Sequence, residues 1–361
     1  MKWMKKAAVV AMAGVLLAAV GCSNGKSSKE ALHDSLNKMS EVHSYAFNGT
    51  LGFDNLELPA GEADELGSSM VTDLLKGAKL TFDGQYEMDA KRTDVNLKLE
   101  WKSEGTSTTV EVPFIVTEDK AYFKVPSIPL IQLPEELTSK FIEIDLKKLA
   151  EEQGVTTFAQ TDKQRELSTK LMDALIEPYE KDYFSEPKAA DVQGLPDGEK
   201  YDQIVQFKVT NETFVPALEL AMNKVVPTVI DMIAADEEYV KLLGLKKEDL
   251  DTAKKYVADN GPKLLEQAKK TVKVNEIAVT SGLQDDYMTY QGIDTDLSVT
   301  PEDGSGEVKV DMYLRMQYKD INKKQTFKQE IPSDTTTLEE ALAMFGLDTS
   351  ALKALEEQAL Q

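Results

Sequence analysis

The chain has 361 residues, 42% hydrophobic and 29% charged, a length and balance that allow a large buried core in a folded globular protein. Its net charge of −22, from 63 acids against 41 bases, excludes a nucleic-acid binder that works by neutralising phosphates, because that needs a basic face. A single cysteine rules out an intrachain disulfide, and two histidines leave little material for a histidine general base or a zinc centre.

The first six residues carry three lysines and no acid, and Ala7 to Val20 is uninterrupted and apolar or small. Gly21 then precedes Cys22. A basic segment, an apolar segment and a small-residue cleavage site make a secretory signal over residues 1–21. The apolar run is shorter than the about 20 residues that a membrane span requires. Ala19-Val20-Gly21-Cys22 resembles the lipobox of bacterial lipoproteins, although Ala19 stands where leucine is commonest in that family. The resemblance implies cleavage between Gly21 and Cys22, a diacylglyceryl group (palmitate or similar chains) on the Cys22 thiol, and a protein anchored to the cell membrane on its extracytoplasmic side. Two chains anchor firmly where one does not, at about 0.8 kcal/mol per buried CH₂. Cleavage leaves 340 residues and, with three lysines lost, takes the net charge to −25. So acidic a body gains nothing from anionic headgroups, and the acyl chains must hold it.

Residues 22–28 read as a polar tether, Ser23 to Ser28 being Ser-Asn-Gly-Lys-Ser-Ser. Ser27 or Ser28 can cap a helix to about Met39, with Ala31, Leu32, Leu36 and Met39 on one face. From Tyr45 the period changes to two: Tyr45, Phe47, Gly49, Leu51 and Phe53 alternate with small or polar residues, as in a half-buried strand. Residues 55–77 read as an insertion, with a helical turn around Met70 to Leu75. A meander follows, on Leu80, Phe82 and Tyr86, then Val95 to Trp101, then Val110 to Val116, then Ala121 to Val125. Its joints at Asp89–Arg92, Glu104-Gly105 and Glu118-Asp119 suit tight hairpins between antiparallel neighbours.

Residues 126–200 interrupt this pattern, with one short strand at Phe141 to Asp145, a helix from about Gln164 to Tyr179, and a polar connector from Pro187 to Lys200. After a strand at Ile204 to Val209 comes the most apolar helical region, Asn211 to Ala235, which Pro227 is expected to kink or split. A second helix, Lys247 to Val272, is expected to break near Asn260-Gly261-Pro262. Long strands resume at Val274 to Ser281, Tyr290 to Val299 and Val308 to Tyr318. Phe327 to Ile331 is expected to close the sheet, and residues 336–361 to form a helical tail. The order helix, strands, helices, strands, with about ten strands, points to one α+β domain over residues 29–335. Its core is a strongly curved antiparallel sheet, an unclosed half-barrel with helices packed on the concave side and helical insertions near 126–200 and 211–270.

In this order the chain resembles the bacterial lipoprotein-carrier superfamily of the LolA, LolB and LppX–LprG type, including related Gram-positive lipoproteins. The likeness rests on the opening helix with Leu32, Leu36 and Met39, on Ser44-Tyr45-Ala46-Phe47-Asn48-Gly49-Thr50, on Lys120-Ala121-Tyr122-Phe123-Lys124-Val125-Pro126 and on Phe141-Ile142-Glu143-Ile144-Asp145. It covers most of residues 28–335 as a likeness of pattern. The resemblance implies an unclosed barrel with a helical lid and an acyl lipid held between them.

No G-x-S-x-G, H-E-x-x-H or P-loop occurs, and lipidation would consume the one thiol. The acidic pairs Asp285-Asp286, Glu237-Glu238 and Asp294 with Asp296 are of a kind expected by chance among 63 acids. The segment Glu302 to Glu307 lacks the alternating ligands of a calcium loop. No catalytic residue, metal site or cofactor is assigned. Two sets of residues remain as the lining of an apolar cavity: Phe47, Phe53, Phe82, Tyr86 and Trp101 on the early strands, then Phe214, Leu218, Met222, Met232, Met312 and Met316 on the helices and a late strand. Adaptable methionine side chains suit variable acyl chains. A dry core demands the same residue types. The expectation is therefore a membrane-anchored carrier of an acyl lipid, the alternative being an envelope sensing or scaffolding module with a solid core and an unidentified protein partner.

Overall fold

The computed structural model describes residues 26–58, 77–103, 106–127, 133–153, 161–302 and 306–344. The signal segment, Cys22 and the start of the tether lie outside these residues, as do most of the 55–77 insertion and the tail beyond 344.

Helix α1, Ser28–Ser40, begins at a reciprocal cap: the Glu30 amide donates to Ser27 Oγ at 3.3 Å, and the Ser27 amide donates to Glu30 Oε2 at 2.9 Å. The chain then enters β1, Ser44–Glu57, and walks outward through β2, Lys79–Glu87, β3, Arg92–Ser103, β4, Thr106–Val116, and β5, Lys120–Lys124. A short helix α2, Glu135–Ser139, leads to β6, Phe141–Asp145, then α3, Leu146–Gln153, and α4, Asp162–Ile176. The two-residue β7, Phe184–Ser185, and β8, Gln203–Val209, follow. The helical layer comprises α5, Phe214–Leu220, a π turn at Ala221–Val225, α6, Val226–Ala234, α7, Glu237–Leu242, and α8, Lys247–Thr271. Strands β9, Val272–Gln284, β10, Tyr287–Val299, and β11, Val308–Lys319, return to the sheet, and β12, Thr335–Thr337, precedes α9, Leu338–Ala343.

All twelve strands form one sheet in the order β12-β6-β5-β4-β3-β2-β1-β11-β10-β9-β8-β7. The early strands fan out on one side of β1 and the late strands, read backwards, on the other. The antiparallel pairing of β1 with β11, from Ala46–Lys319 to Glu57–Lys309, unites the two halves. Among the described residues only β12 on β6 runs parallel. The sheet is mixed with helices in an α+β fold and is not closed into a barrel. Its two edges are strands of two and three residues, too short to recruit another chain.

Pro227 splits its helix as expected: a π turn precedes it and α6 starts afresh, with the proline in its first turn. Two local expectations are corrected. Helix α8 runs unbroken through Asn260-Gly261-Pro262, because Leu250 and Gly261 are buried on its inner side and tertiary packing outweighs the local breaking signal. The segment Phe327 to Ile331 forms no strand. It belongs to a strap over residues 320–334, in which the Gln325 amide donates to Glu87 Oε2 at 3.2 Å, and Arg92 donates to the Gln329 carbonyl while its guanidinium lies 4.4 Å from the Phe327 ring centroid. The closing strand comes later, at β12.

Candidate apolar ligand site

Residues directly opposite one another in a sheet share a face, so the register sorts the side chains. Phe47 faces Tyr318, Gly49 faces Met316, Leu51 faces Leu314 and Phe53 faces Met312 across β1–β11. Across β1–β2 the partners are Tyr45 with Tyr86, Phe47 with Gly84, Gly49 with Phe82 and Leu51 with Leu80. The same rows continue through Val95, Leu97 and Leu99 of β3 to Phe114, Val112 and Val110 of β4. On the other side they pass through Ile293 of β10 and Val279 of β9 to Phe207 of β8. One face of the sheet is thus apolar almost from edge to edge. The other carries Asn48, Thr50, Asp83, Asn96, Lys98, Arg315 and Asp294.

The centre of the apolar face is organised by two reciprocal glycine–aromatic pairs. The Phe47 ring lies over Gly84, where an added Cβ would stand 2.5 Å from its Cζ. The Phe82 ring lies over Gly49, where a Cβ would stand 2.3 Å from its Cζ. Each ring therefore fills the space of the glycine opposite, and the two rings stand 6.4 Å apart. Tyr45 joins them at 5.9 Å from Phe47, 5.3 Å from Tyr86 and 5.5 Å from Tyr318.

Coverage of this face is uneven. At one flank α1 and α4 pack on it: Ala31 and Leu32 form a core with Phe184, Val205, Leu283 and Met288, supported by Leu36, Met39, Tyr179 and Phe207. At the other flank Leu137, Ile142 and Ala341 form a small core with Phe123 and Leu338. Between the flanks Phe47, Leu51, Phe53, Phe82, Leu314 and Met316 are only half-buried. Where α1 and α4 overhang the sheet there is a cavity of about 170 Å³, lined by Met39, Val42, Tyr45, Tyr86 and Tyr318, with Arg165, Ser40 and Ser168 as its polar wall. Burial pushes the Tyr45 phenol up to about 12, helped by the neighbouring phenols of Tyr318 and Tyr86, and raises Tyr318 and Tyr86 for the same reason. Arg165 donates to Met88 Sδ at 3.3 Å and pairs with the exposed Asp162. The cavity therefore offers neutral hydroxyls, a sulfur-backed guanidinium and an apolar floor.

Of the residues singled out in the sequence, Phe47, Phe53, Phe82, Tyr86, Trp101, Met312 and Met316 share this face. Trp101 lies towards the far end of β3, buried, opposite Thr108. The helical candidates are not all directed there. Met232 packs in a separate core inside the helical layer, with Leu167, Ile233, Tyr239 and Leu250. Met222 points at Gly261 of α8, its Cε 3.3 Å from where a Cβ would be. Phe214 and Leu218 are half-buried on α5. Arg165, Ser40 and Ser168 carry no sequence signal for a site: only the crossing of α1 and α4 over β1 brings them to Tyr45.

The histidines and acidic pairs have structural partners. His33 Nε2 lies 3.1 Å from Asp173 Oδ1, linking α1 to α4, and the His43 amide donates to Asn322 Oδ1 at 2.9 Å. Asp285 and Asp286 both have positive φ and make the β9–β10 turn. Asp294 pairs with Arg315, Asp296 accepts from Asn275 at 3.0 Å, and Glu237 and Glu238 open α7. Among the described residues no cluster of three or more His, Cys, Asp or Glu side chains could hold a metal ion, and no helix is long and apolar enough to cross a membrane.

No protein-family profile matches the chain, and no curated protein matches it. Among solved structures it is similar to LprF from Mycobacterium bovis, with 8% identity and a TM-score of 0.32 over 84% of this chain and 96% of that one. It is also similar to lipovitellin, in a structure concerned with lipid–protein interactions, with 8% identity and a TM-score of 0.23 over 81% of this chain but 26% of that one.

Proposed function

We propose that the chain is a membrane-anchored, extracytoplasmic lipoprotein that binds or carries an acyl lipid between the apolar face of its sheet and the helices. The observation that supports this most is the contrast along one face. Its flanks are closed by helices, with Val205 and Ile142 buried, while its central rows of Phe, Leu and Met stay half-buried beside a cavity. A continuous apolar surface of this kind gains about 25 cal/mol for each Å² that an acyl chain covers. The wall of Tyr45, Tyr86, Tyr318 and Arg165 suits the polar end of such a ligand. In this reading Cys22 carries the diacylglyceryl anchor, and the residues after it hold the body near a lipid surface. The reading assigns the protein no catalysis.

The test is binding of an environment-sensitive fluorescent fatty acid. A lysine at Leu314, in the middle of the apolar face, should abolish saturable binding, since an unpaired ammonium there is costly beside hydrocarbon. A lysine at Asn48, on the opposite face of the adjacent strand, should leave binding as in the wild type. Equal binding by Leu314→Lys and Asn48→Lys would remove the proposal.

A further inference from the structure

A second cavity, of about 440 Å³, lies beside the ends of β9, β10 and β11, and shares only Tyr318 with the first. Its volume falls within the about 300–1,000 Å³ usual for small-molecule sites. Its wall is of a different kind from the apolar face. Tyr201 and Tyr287 present rings, and Gln284, Gln317 and Thr289 present amides and a hydroxyl. Both rings are held in place. Tyr201 lies on Gly282, whose Cβ would stand 2.5 Å from its Cδ1, while the Tyr287 ring has Lys38 Nζ at 4.1 Å from its centroid and the Tyr287 hydroxyl oxygen accepts from Asn322 Nδ2 at 3.4 Å.

Four of the five charged residues lining this cavity stand in two pairs. Lys319 Nζ stands 3.7 Å from Glu199 Oε1, and Lys323 Nζ stands 3.0 Å from Asp320 Oδ1. The Asp285 carboxylate leaves the lining with one excess negative charge, since Lys38 donates to the Asp285 backbone carbonyl. An anionic ligand would have to enter against this excess. A neutral polyol would not: its hydroxyls donate to the carboxylates and amide oxygens and accept from the ammonium and amide N–H groups, while its C–H faces rest on the fixed rings. We propose that this cavity binds a neutral saccharide. The proposal is independent of the lipid reading, since its residues, Tyr318 apart, lie outside the first cavity.

Saturation-transfer NMR and calorimetric titration of the full chain, in a zwitterionic detergent without a sugar headgroup, would test it with maltose, sucrose and chitobiose as probes, and citrate and inorganic phosphate as charged comparisons. At least one disaccharide should bind saturably. Tyr287→Ala and Gln317→Ala should each weaken it by about tenfold or more, the loss expected for a central contact. Tyr256→Ala, on exposed α8, should leave it unchanged. Circular dichroism and fatty-acid binding would show that the variants remain folded. Three results would overturn the proposal: no saturable binding by any disaccharide, binding equal to wild type in both cavity variants, or preference for citrate or phosphate.

Discussion

Replacing Gly84 by alanine tests whether the centre of the sheet depends on the glycine–aromatic pairs. The new Cβ would stand 2.3 Å from the Asp94 carbonyl oxygen, 2.5 Å from Phe47 Cζ and 2.9 Å from Phe47 Cε1. The ring can rotate away. The carbonyl cannot, because Asp94 pairs with Gln85 in β3–β2 and Gly84 is held by Phe47 and Val95 on its two sides. Overpacking of a fixed interior costs about 1–3 kcal/mol, and a clash with backbone belongs at the upper end. Alanine recovers about 0.4–1 kcal/mol through the unfolded chain, so the net loss should be about 2 kcal/mol. Urea denaturation would read it as a lower midpoint at unchanged slope. Phe47→Ala in the same background should relieve only the ring contact and recover part of the loss, a coupling that a double-mutant cycle measures. If Gly84→Ala changes stability by no more than about 0.5 kcal/mol, the range of an ordinary surface substitution, the sheet centre is not packed as described.

Cys22→Ser should release the protein to the medium or leave it unprocessed; unchanged fractionation with membranes and undiminished lipid would argue against the anchor. Two further expectations follow from titration. Lys170 and Lys163 hold the Glu166 carboxyl down to about 2, so any stability it lends the α4–α7 junction is present above the ordinary carboxylate pKa of about 4.5 and is lost as pH falls from there towards 2. Carboxyl-carbon NMR should place its midpoint near 2, and a midpoint near 4.5 would refute the ion-pair geometry. The Tyr45 phenol, raised to about 12 by burial, contributes stability that is whole below the unfolded phenol pKa of about 10 and lost as pH rises through 12. An ultraviolet alkaline titration should lose one of its late-ionising phenols in Tyr45→Phe, those of Tyr201 and Tyr290, also raised to about 12, remaining. A difference confined to the region near 10 would mean that Tyr45 is open to water.

Much of the sheet was legible because its signal is local. The alternation of Tyr45, Phe47, Gly49, Leu51 and Phe53 marks β1, and the Asp-rich joints mark the meander. What one residue's neighbourhood cannot show is which strand meets which across 250 positions: the β1–β11 pairing puts Met312, Leu314 and Met316 beside Phe47 and Phe53. The helical candidates illustrate the opposite failure. Met222 and Met232 have the right spacing for an inward stripe, but a layer in which helices pack on one another satisfies that stripe without the sheet. Pro262 misled for a related reason, since a proline signal is local and the surrounding packing outweighs it, whereas at Pro227 the helical region does divide. The segment Phe327 to Ile331 joins no ladder, and its Gln329 carbonyl accepts from the Arg92 side chain instead.

Native mass spectrometry of residues 23–361, expressed without the lipid anchor and followed by solvent extraction, would show whether the apolar face holds a ligand. An acyl lipid should copurify with the folded protein and be absent from the Leu314→Lys variant. A protein that emerges empty, and remains empty after incubation with fatty acid or phospholipid, would contradict the proposal and leave the apolar face as the inside of a solid core.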